Sequence, residues 1–292
     1  MRRLALALTL LPGLAAAEPR LVVLSAFEPE WLALREGLAD AETELVNGNR
    51  FVTGTLEGKP VVLALSGVSM VNAAMTTQML LDRYEVEGIV FSGIAGGVDP
   101  DLNIGDVVVA DRWGQYLDVI LARETDGTFA IPPWMSTDFA PYGMIHVRNQ
   151  TVQTAGAEAP ETRFWFETDP AMLAVAERVA GGLSLPECNA ENACLSEPPR
   201  IVVGGAGVSG AAFVDNADFR EWASDTFEAR VLDMESAAVA HVAYANGVPF
   251  IAFRSLSDLA GGGEGENEMG TFMSLAAGNA ASVVRAFLAE MD

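Results

Sequence analysis

Cysteine and histidine are scarce in this chain of 292 residues, which contains two of each. Neither His146 nor His241 stands at ligand spacing from the cysteines, and so few ligands do not make a structural zinc site. We therefore expect no bound metal. Cys188 and Cys194 lie close together in a polar segment of loop-like composition. In an oxidising compartment this spacing favours a local disulfide bond, worth about 2 kcal/mol of stability.

Basic residues are also few, because 17 Lys and Arg stand against 40 Asp and Glu, which gives a formal net charge of −23 at pH 7. A surface this negative repels nucleic acid and anionic lipid, so we expect neither as a partner. Solubility or adaptation to a salty medium explains the charge better than a specific cationic partner does.

A long uncharged apolar run is absent beyond the first residues, so we expect no membrane-spanning helix. Residues 1–17, MRRLALALTLLPGLAAA, combine a basic start, an apolar run too short to span a bilayer and a small-residue end. This pattern is typical of a cleavable secretory signal peptide, cut after Ala17. The sequence therefore predicts a periplasmic or secreted protein with a single mature domain over residues 18–292.

Strand, glycine turn and helix alternate along most of the mature chain. The apolar patterns predict strands over Leu21–Ser25, Arg50–Leu56, Pro60–Leu65, Gly88–Ser92, Asp106–Ala110 and Arg200–Gly204. They predict helices over Trp31–Leu38, Val71–Tyr84, Pro170–Leu183 and Phe272–Glu290. This alternation indicates an α/β fold whose parallel or mixed sheet is covered by helices on both sides.

Two segments depart from this alternation. Residues 113–168 carry Pro132-Pro133 and many aromatic residues with little periodicity, which indicates an elaborated loop that walls a pocket or forms a subunit contact. Residues 261–270 are rich in glycine and glutamate and read as a flexible acidic flap over a pocket.

Residues 231–258, VLDMESAAVAHVAYANGVPFIAFRSLSD, carry the most informative polar side chains. They predict a turn, a small-residue helix and a buried strand that stays apolar until Arg254, Ser257 and Asp258. Open α/β sheets bind ligands at the carboxyl ends of their strands. Glu235, before the helix, and Asp258, after the strand, are placed to face one pocket from two sides. We interpret this pattern as an active site.

Four segments, SAFEPEW, SGIAGGVDPDLNIGDVVVAD, SGAAFVDN and residues 231–258, occur in an order that resembles the purine nucleoside phosphorylase and nucleosidase superfamily. The resemblance covers most of the mature chain and is nearest to enzymes that hydrolyse 5′-methylthioadenosine and S-adenosylhomocysteine. Residues 113–168, the cysteine loop and the ending SDLAGG are also similar to plant vegetative and bark storage proteins. The resemblance implies a three-layer α/β/α fold with a twisted mixed central sheet, no cofactor and a homodimer.

The resemblance also implies a role for each matching residue. Among catalytic residues, Glu30 orients the attacking water, Glu235 holds the ribose hydroxyls and Asp258 protonates or hydrogen-bonds purine N7. The implied substrate-binding residues are Phe213, which stacks on the base, Val214, whose backbone reads the base edge, Met234 beside the ribose, Ser257, Gly96, and Arg254, which supports Glu30 from beneath. Taken singly, Glu30 also fits a helix start, and Arg254 also fits an ordinary buried partner of Glu235.

The chemistry of N-glycosidic cleavage suits these residue types. Breaking the bond builds positive charge on the sugar, which carboxylates stabilise, as in glycoside hydrolysis. The leaving base needs a proton donor, and an aspartic acid serves when burial raises its pKa.

Residues in two turns indicate whether water or phosphate is the nucleophile. A phosphate needs Arg side chains and hydroxyl donors. At the positions where the phosphorylases carry them, this chain has Glu28, Glu30, Phe91 and Ile94, so we expect water instead. Ile94 also replaces a hydroxyl that the nucleosidases keep. The predicted function is therefore an exported purine nucleosidase acting on adenosine-type nucleosides such as 5′-methylthioadenosine. The alternatives are a phosphate-dependent phosphorylase and a catalytically weak nucleoside-binding or storage protein.

Overall fold

A computed structural model describes residues 18–263 and 265–291. The predicted signal peptide, residues 1–17, lies outside the described residues and stays a prediction. The helices are α1 (Glu28–Arg35), α2 (Met70–Arg83), α3 (Pro170–Ala180), α4 (Ala217–Phe227), α5 (Ser236–Asn246) and α6 (Met269–Glu290). The strands are β1 (Arg20–Ser25), β2 (Ala39–Val46), β3 (Asn49–Leu56), β4 (Lys59–Leu65), β5 (Val86–Gly97), β6 (Val107–Val109), β7 (Arg112–Gln115), β8 (Val119–Leu121), β9 (Arg123–Thr125), β10 (Thr128–Ala130), β11 (Ile145–Val147), β12 (Gln150–Val152), β13 (Glu161–Arg163), β14 (Trp165–Glu167), β15 (Ile201–Val203), β16 (Ala206–Ser209), β17 (Ala229–Asp233) and β18 (Phe250–Asp258).

Twelve of these strands form one mixed sheet, in which the main path runs β14-β7-β16-β17-β5-β1-β4-β3-β2. Strand β1 runs parallel to β4 and β5, and β18 runs parallel to β5 on the other side. Strands β17 and β5 pair antiparallel, as do β2, β3 and β4 in sequence. The expected mixed sheet is confirmed.

The central strands bury both faces, which is why they read as continuous apolar runs. On β1, Val22 and Leu24 pack into the core under α2 and α5, whereas Leu21 and Val23 pack into the core under α1, α3 and α6. Successive side chains of a strand point to opposite faces, so one strand supplies both cores. The expected three layers, helices on each side of a sheet, are confirmed.

Strand β5 does not end at Ser92 as predicted but continues through the glycines to Gly97. The glycines remain extended because they pair with β18, in the register Gly93 to Arg254 and Gly96 to Asp258. A side chain at Gly93 would collide with the guanidinium of Arg254. These glycines therefore make room for close packing within the sheet, and they form no turn.

Residues 113–168 are also more regular than predicted. Strands β7 and β14 belong to the main sheet, and β8 to β13 form three small antiparallel pairs. Their aromatic residues pack with α4 into a third core, where the rings of Phe139 and Phe227 lie 5.0 Å apart. Such short strands carry no clear period-2 pattern, so the sequence reads as a loop.

Other boundaries differ by a few residues. Helix α1 begins at Glu28 and not at Trp31, and β2 was not predicted, because its mostly exposed, acidic residues lack an apolar alternation. The predicted disulfide between Cys188 and Cys194 is confirmed.

Helix α6 corrects the expectation that no long apolar stretch follows the N-terminus. Among the described residues it is the one helix long and apolar enough to cross a membrane. Most of its apolar window, 61%, is buried inside the protein. Phe287, for example, packs on Phe253 of β18 with ring centroids 5.0 Å apart. Its apolar character therefore serves the core.

Candidate active site

A cavity of about 180 Å³ opens where the parallel strands β1, β5 and β18 end. It is lined by the turn and first residues of α1, the glycine part of β5, the loop after β16, the end of β17 and the start of α6. Eight of the nine residues that the sequence predicts as catalytic or substrate-binding line this one cavity: Glu30, Gly96, Phe213, Val214, Met234, Glu235, Ser257 and Asp258.

Glu30 lies in the first turn of α1 and is almost fully buried. Its Oε2 accepts hydrogen bonds from the backbone N–H groups of Ala26 at 2.7 Å and Phe27 at 3.3 Å. Its Oε1 accepts the backbone N–H of Ile94 at 2.8 Å. Burial raises the pKa of Glu30, while Arg254 and these three donors act to lower it. The carboxylate is thus held by main chain from the turn after β1 and from β5.

Glu235 is buried at the N-cap position of α5. Its Oε1 accepts the backbone N–H of Ser69 at 2.7 Å, just before α2. Its Oε2 lies 3.6 Å from a guanidinium nitrogen of Arg254. Burial raises the pKa of Glu235 to about 7, with Asp233 and Glu30 adding to the rise and Arg254 and Ser69 opposing it. The group can therefore exchange a proton near neutral pH.

Arg254 is the one residue of the predicted set that does not line the cavity, but its guanidinium and the Glu30 carboxylate both lie beside Gly93, and its charge lowers the pKa of Glu30. Its side chain is fully buried, and its Nε lies 2.7 Å from Oδ2 of Asp233 and 2.9 Å from Oγ of Ser236. No ion pair within 4.0 Å joins it to Glu30 in the described chain; its partners are Asp233 and Glu235. Arg254 sits too deep to reach a ligand because β18 is covered on both faces. Arg254 is thus a buried partner of Glu235, and its charge acts on Glu30 as well.

Asp233 is a buried member of the site that the sequence reasoning missed. It accepts hydrogen bonds from the hydroxyls of Ser209 and Ser236 and from the backbone N–H groups of Glu235 at 3.2 Å and Ser236 at 3.1 Å. Together with the Arg254 ion pair, these bonds fix the turn that presents Glu235. The signal that could have found it is its place in VLDMES, directly before Met234 and Glu235.

Asp258 ends β18 and is 3% exposed. Its Oδ1 accepts the backbone N–H of Ala260 at 2.8 Å and the side-chain amide of Asn267 at 3.4 Å. Its Oδ2 accepts the hydroxyl of Ser257 at 2.9 Å. Burial raises the pKa of Asp258, and these three donors partly offset the rise. A carboxyl in such a place holds its proton to higher pH than an exposed one.

The remaining lining residues form an apolar wall. Phe213 is 57% exposed at the cavity, so one face of its ring is free, and Val214 behind it is buried. Met234 and Met269 contribute flexible apolar side chains. Met269 was missed, since nothing in its local sequence separates it from the other apolar residues of α6. A flat apolar platform next to buried carboxylates is a suitable environment for a planar heterocycle linked to a polar ring.

The charge of the cavity is uniformly acidic. Glu30, Asp233, Glu235 and Asp258 line it, and no Lys or Arg does so among the described residues. Since phosphate recognition relies on fixed positive charge, this lining offers no cradle for an inorganic phosphate. It does favour a developing sugar cation.

The family model "Phosphorylase superfamily" matches residues 20–289. The chain is 32% identical to the 5′-methylthioadenosine/S-adenosylhomocysteine nucleosidase of Bacillus thuringiensis, over 83% of this chain and 87% of that protein. It is 31% identical to the enzyme of the same description from Tolumonas auensis, over 92% of this chain and 98% of that protein. The chain therefore belongs to the phosphorylase superfamily.

The fold agrees with this membership. The S-adenosylhomocysteine nucleosidase of Streptococcus pyogenes, crystallised with 5-methylthiotubericidin, superposes with a TM-score of 0.69 at 26% identity and covers 96% of this chain and 100% of its own. Within the superfamily the chain is an N-glycosyl hydrolase of the nucleosidase type, which confirms the predicted enzyme class.

Proposed function

We propose that this enzyme hydrolyses adenosine-type purine nucleosides, with 5′-methylthioadenosine among them, to the free base and the sugar. The observation that carries the proposal is the convergence of Glu30, Glu235 and Asp258 on one cavity whose lining, in the described chain, lacks a cationic residue. Three carboxyl groups match the three demands of the reaction: a base for water, an anchor for the sugar and an acid for the purine.

The proposed mechanism assigns each group from its hydrogen bonds. Asp258 retains a proton through burial and donates it to purine N7 as the bond breaks. Glu235, beside the sugar, stabilises the oxocarbenium-like cation and holds the ribose hydroxyls. Glu30, fixed by three backbone donors, accepts the proton of the attacking water. Phe213 stacks on the leaving base, and its exposed ring supports that role.

Water in place of phosphate follows from the same lining. A phosphorylase reaction needs donors for a dianion, but the N–H groups of Phe27 and Ile94 already bond Glu30, and the side chains of both residues are apolar. Base release from 5′-methylthioadenosine, adenosine and inosine, followed by chromatography with and without phosphate, tests the proposal. We expect the base of each accepted nucleoside to form at the same rate in both buffers, together with the free sugar and without a sugar 1-phosphate. A strict need for phosphate overturns hydrolysis.

A second candidate, nucleoside binding with little or no turnover, is favoured by one observation. The side chain of Ile94 lines the cavity beside Glu30, where the resembling nucleosidases carry a hydroxyl. A pure binding or storage protein would be stabilised against heat by methylthioadenosine and would release no adenine over a long incubation. Measurable release removes this candidate.

We also propose that the protein is exported to the periplasm or medium, as the signal-like residues 1–17 support. The N-terminus of the mature protein, determined by mass spectrometry, is expected to be Glu18.

We further propose a homodimer, which is supported by the apolar face of α2 beside the cavity, where Val71 is 79% and Met75 49% exposed. Light scattering is expected to give twice the chain mass, and V71E/M75E to give a monomer.

A further inference from the structure

Asn267 joins three parts of the active site. Its side-chain nitrogen Nδ2 lies 3.0 Å from Oδ1 of Asp215 and 3.4 Å from Oδ1 of Asp258. Its side-chain oxygen accepts the backbone N–H of Met269 at 2.9 Å, at the start of α6. Because the oxygen is occupied by an obligate donor, the NH₂ group must face the two carboxylates. One side chain thus connects the loop of the stacking residue, the end of β18 and a cavity-lining helix.

The two oxygens of Asp258 consequently have different surroundings. The partners of Oδ1 are the Ala260 N–H and the Asn267 amide, which only donate. The partner of Oδ2 is the hydroxyl of Ser257, at 2.9 Å. A hydroxyl can turn to accept as readily as it donates, whereas an N–H cannot accept. Protonated Asp258 can therefore keep all of its hydrogen bonds only when the proton is on Oδ2.

We propose that Asn267 is a positioning residue that holds the transferable proton of Asp258 on Oδ2. The inference rests on the proposed function, in which Asp258 is the acid that protonates the departing base. By donating to Oδ1, the amide makes that oxygen a permanent acceptor. The proton then has one position from which it moves to purine N7, and Asp258 becomes the carboxylate with Oδ1 still fully bonded.

The Asn267 amide also separates Asp258 from neighbouring acidic groups. Asp215 shares the amide with Asp258, and Glu266 and Glu268 line the same small depression. Arg220 of α4, whose side chain lies beside Gly262, donates to the carbonyl of Gly97 at 3.1 Å. Without the amide between them, the charge of Asp215 would face Asp258 directly, and that charge raises the pKa of Asp258.

The decisive variant is Asn267→Asp. It preserves the size of the side chain and the oxygen that accepts the Met269 N–H, and it replaces the donor with a second oxygen. A negative charge then faces Oδ1, so Asp258 holds its proton to higher pH and can share it through Oδ1. We expect the alkaline limb of the kcat/KM profile to move up by about one pH unit. We expect kcat to fall about tenfold, less than the 10²–10⁴-fold loss on removing an acid altogether.

Asn189→Ala is the matched control. Asn189 also holds the start of α6, by donating to the carbonyl of Thr271 at 2.9 Å, but it contacts no carboxylate of the cavity. We expect it to lower the melting temperature and to leave the pH profile in place. If N267D and N189A change melting temperature and rate alike, with neither limb displaced, the amide is merely structural and the proposal fails. Asn267→Ala, which loses both interactions, must also move the limb upward.

The role of Asn267 can also be tested without turnover, by measuring adenine binding. If the wild type releases no base from any nucleoside, the function is wrong, and the affinity for adenine can still be measured calorimetrically as a function of pH. Asp258 titrates in that measurement without turnover. An unchanged midpoint in N267D then overturns the role of Asn267, and a midpoint about one pH unit higher supports it.

Discussion

The backbone N–H of Ile94 holds Oε1 of Glu30 at 2.8 Å, while the side chain of the same residue lines the cavity. The main chain of Ile94 therefore contributes to the anchoring of the proposed water-activating carboxylate, and the residue is apolar where the attacking water is proposed to lie. Because the anchor is a backbone group, the side chain can be exchanged without removing it.

Replacing Ile94 with Ser is expected to increase hydrolysis. The hydroxyl gives the attacking water a further partner, while the Glu30 hydrogen bond stays in place. Initial rates of adenine release should show a higher kcat with little change in KM. I94V, which changes the shape but adds no hydroxyl, is the control. Equal rates for I94S and I94V would mean that the apolar side chain does not limit the reaction.

Asp258→Asn should abolish turnover and leave base binding largely intact. The amide has the size of the carboxyl but cannot release a proton to N7, so we expect a loss of about 10²–10⁴-fold in kcat. Adenine should still raise the melting temperature of the variant. Asp99→Asn, on a half-buried ion pair with Arg230 at 3.9 Å outside the cavity lining, is the control. Wild-type turnover by D258N contradicts the assignment of the acid.

Stability should decrease as the pH rises from about 4.5 to about 7. Burial raises the pKa of Glu235 to about 7 from an ordinary 4.5, so the folded protein binds a proton that the unfolded chain has released. The contribution is fully present below pH 4.5 and lost as the pH rises through 7. The raised pKa values of Glu30 and Asp258 act in the same direction.

Urea unfolding at a series of pH values measures this effect. In Glu235→Gln the slope of unfolding free energy against pH should flatten between pH 4.5 and 7, because the amide does not titrate. Glu87→Gln, an exposed residue of β5, should keep the wild-type slope. An unaltered slope in E235Q would show that the side chain titrates alike in the folded and unfolded states.

Removing the disulfide should cost stability and spare catalysis. The Cys188–Cys194 bridge closes a short loop, worth about 2 kcal/mol on the chain-entropy model. Neither cysteine lines the cavity. We therefore expect C188S/C194S to unfold at lower urea concentration with kcat unchanged. Wild type in reducing agent should behave like the double variant.

Much of the site could be predicted because it is local in sequence. Residues 231–258 place Met234, Glu235 and Asp258 at the ends of two short elements, and buried strands reveal themselves through apolar runs. The position of Arg254 outside the cavity lining could not be predicted, because a sequence does not tell which face of a doubly covered strand is reached by ligand. Asp233 and Asn267 act through hydrogen bonds to other polar groups, and no periodicity marks such partners.

The strands within residues 113–168 could not be predicted from the sequence either. Strands of three or four residues show too few alternations to be recognised, and their aromatic residues are buried by α4, which lies more than fifty residues later in the chain. Conversely, the glycines of β5 looked like a turn because their extended form depends on a neighbour, Arg254, whose side chain fills the space above Gly93.

The cavity takes residues from nearly the whole length of the polypeptide, from Ala26 to Met269. A nascent chain has neither the acid nor the closing helix until the ribosome has almost finished translation. We accordingly expect fragments that end before β18 to be inert toward nucleosides. Activity in a refolding reaction hence requires the whole chain to be folded. We expect it to recover later than spectroscopic signals of secondary structure.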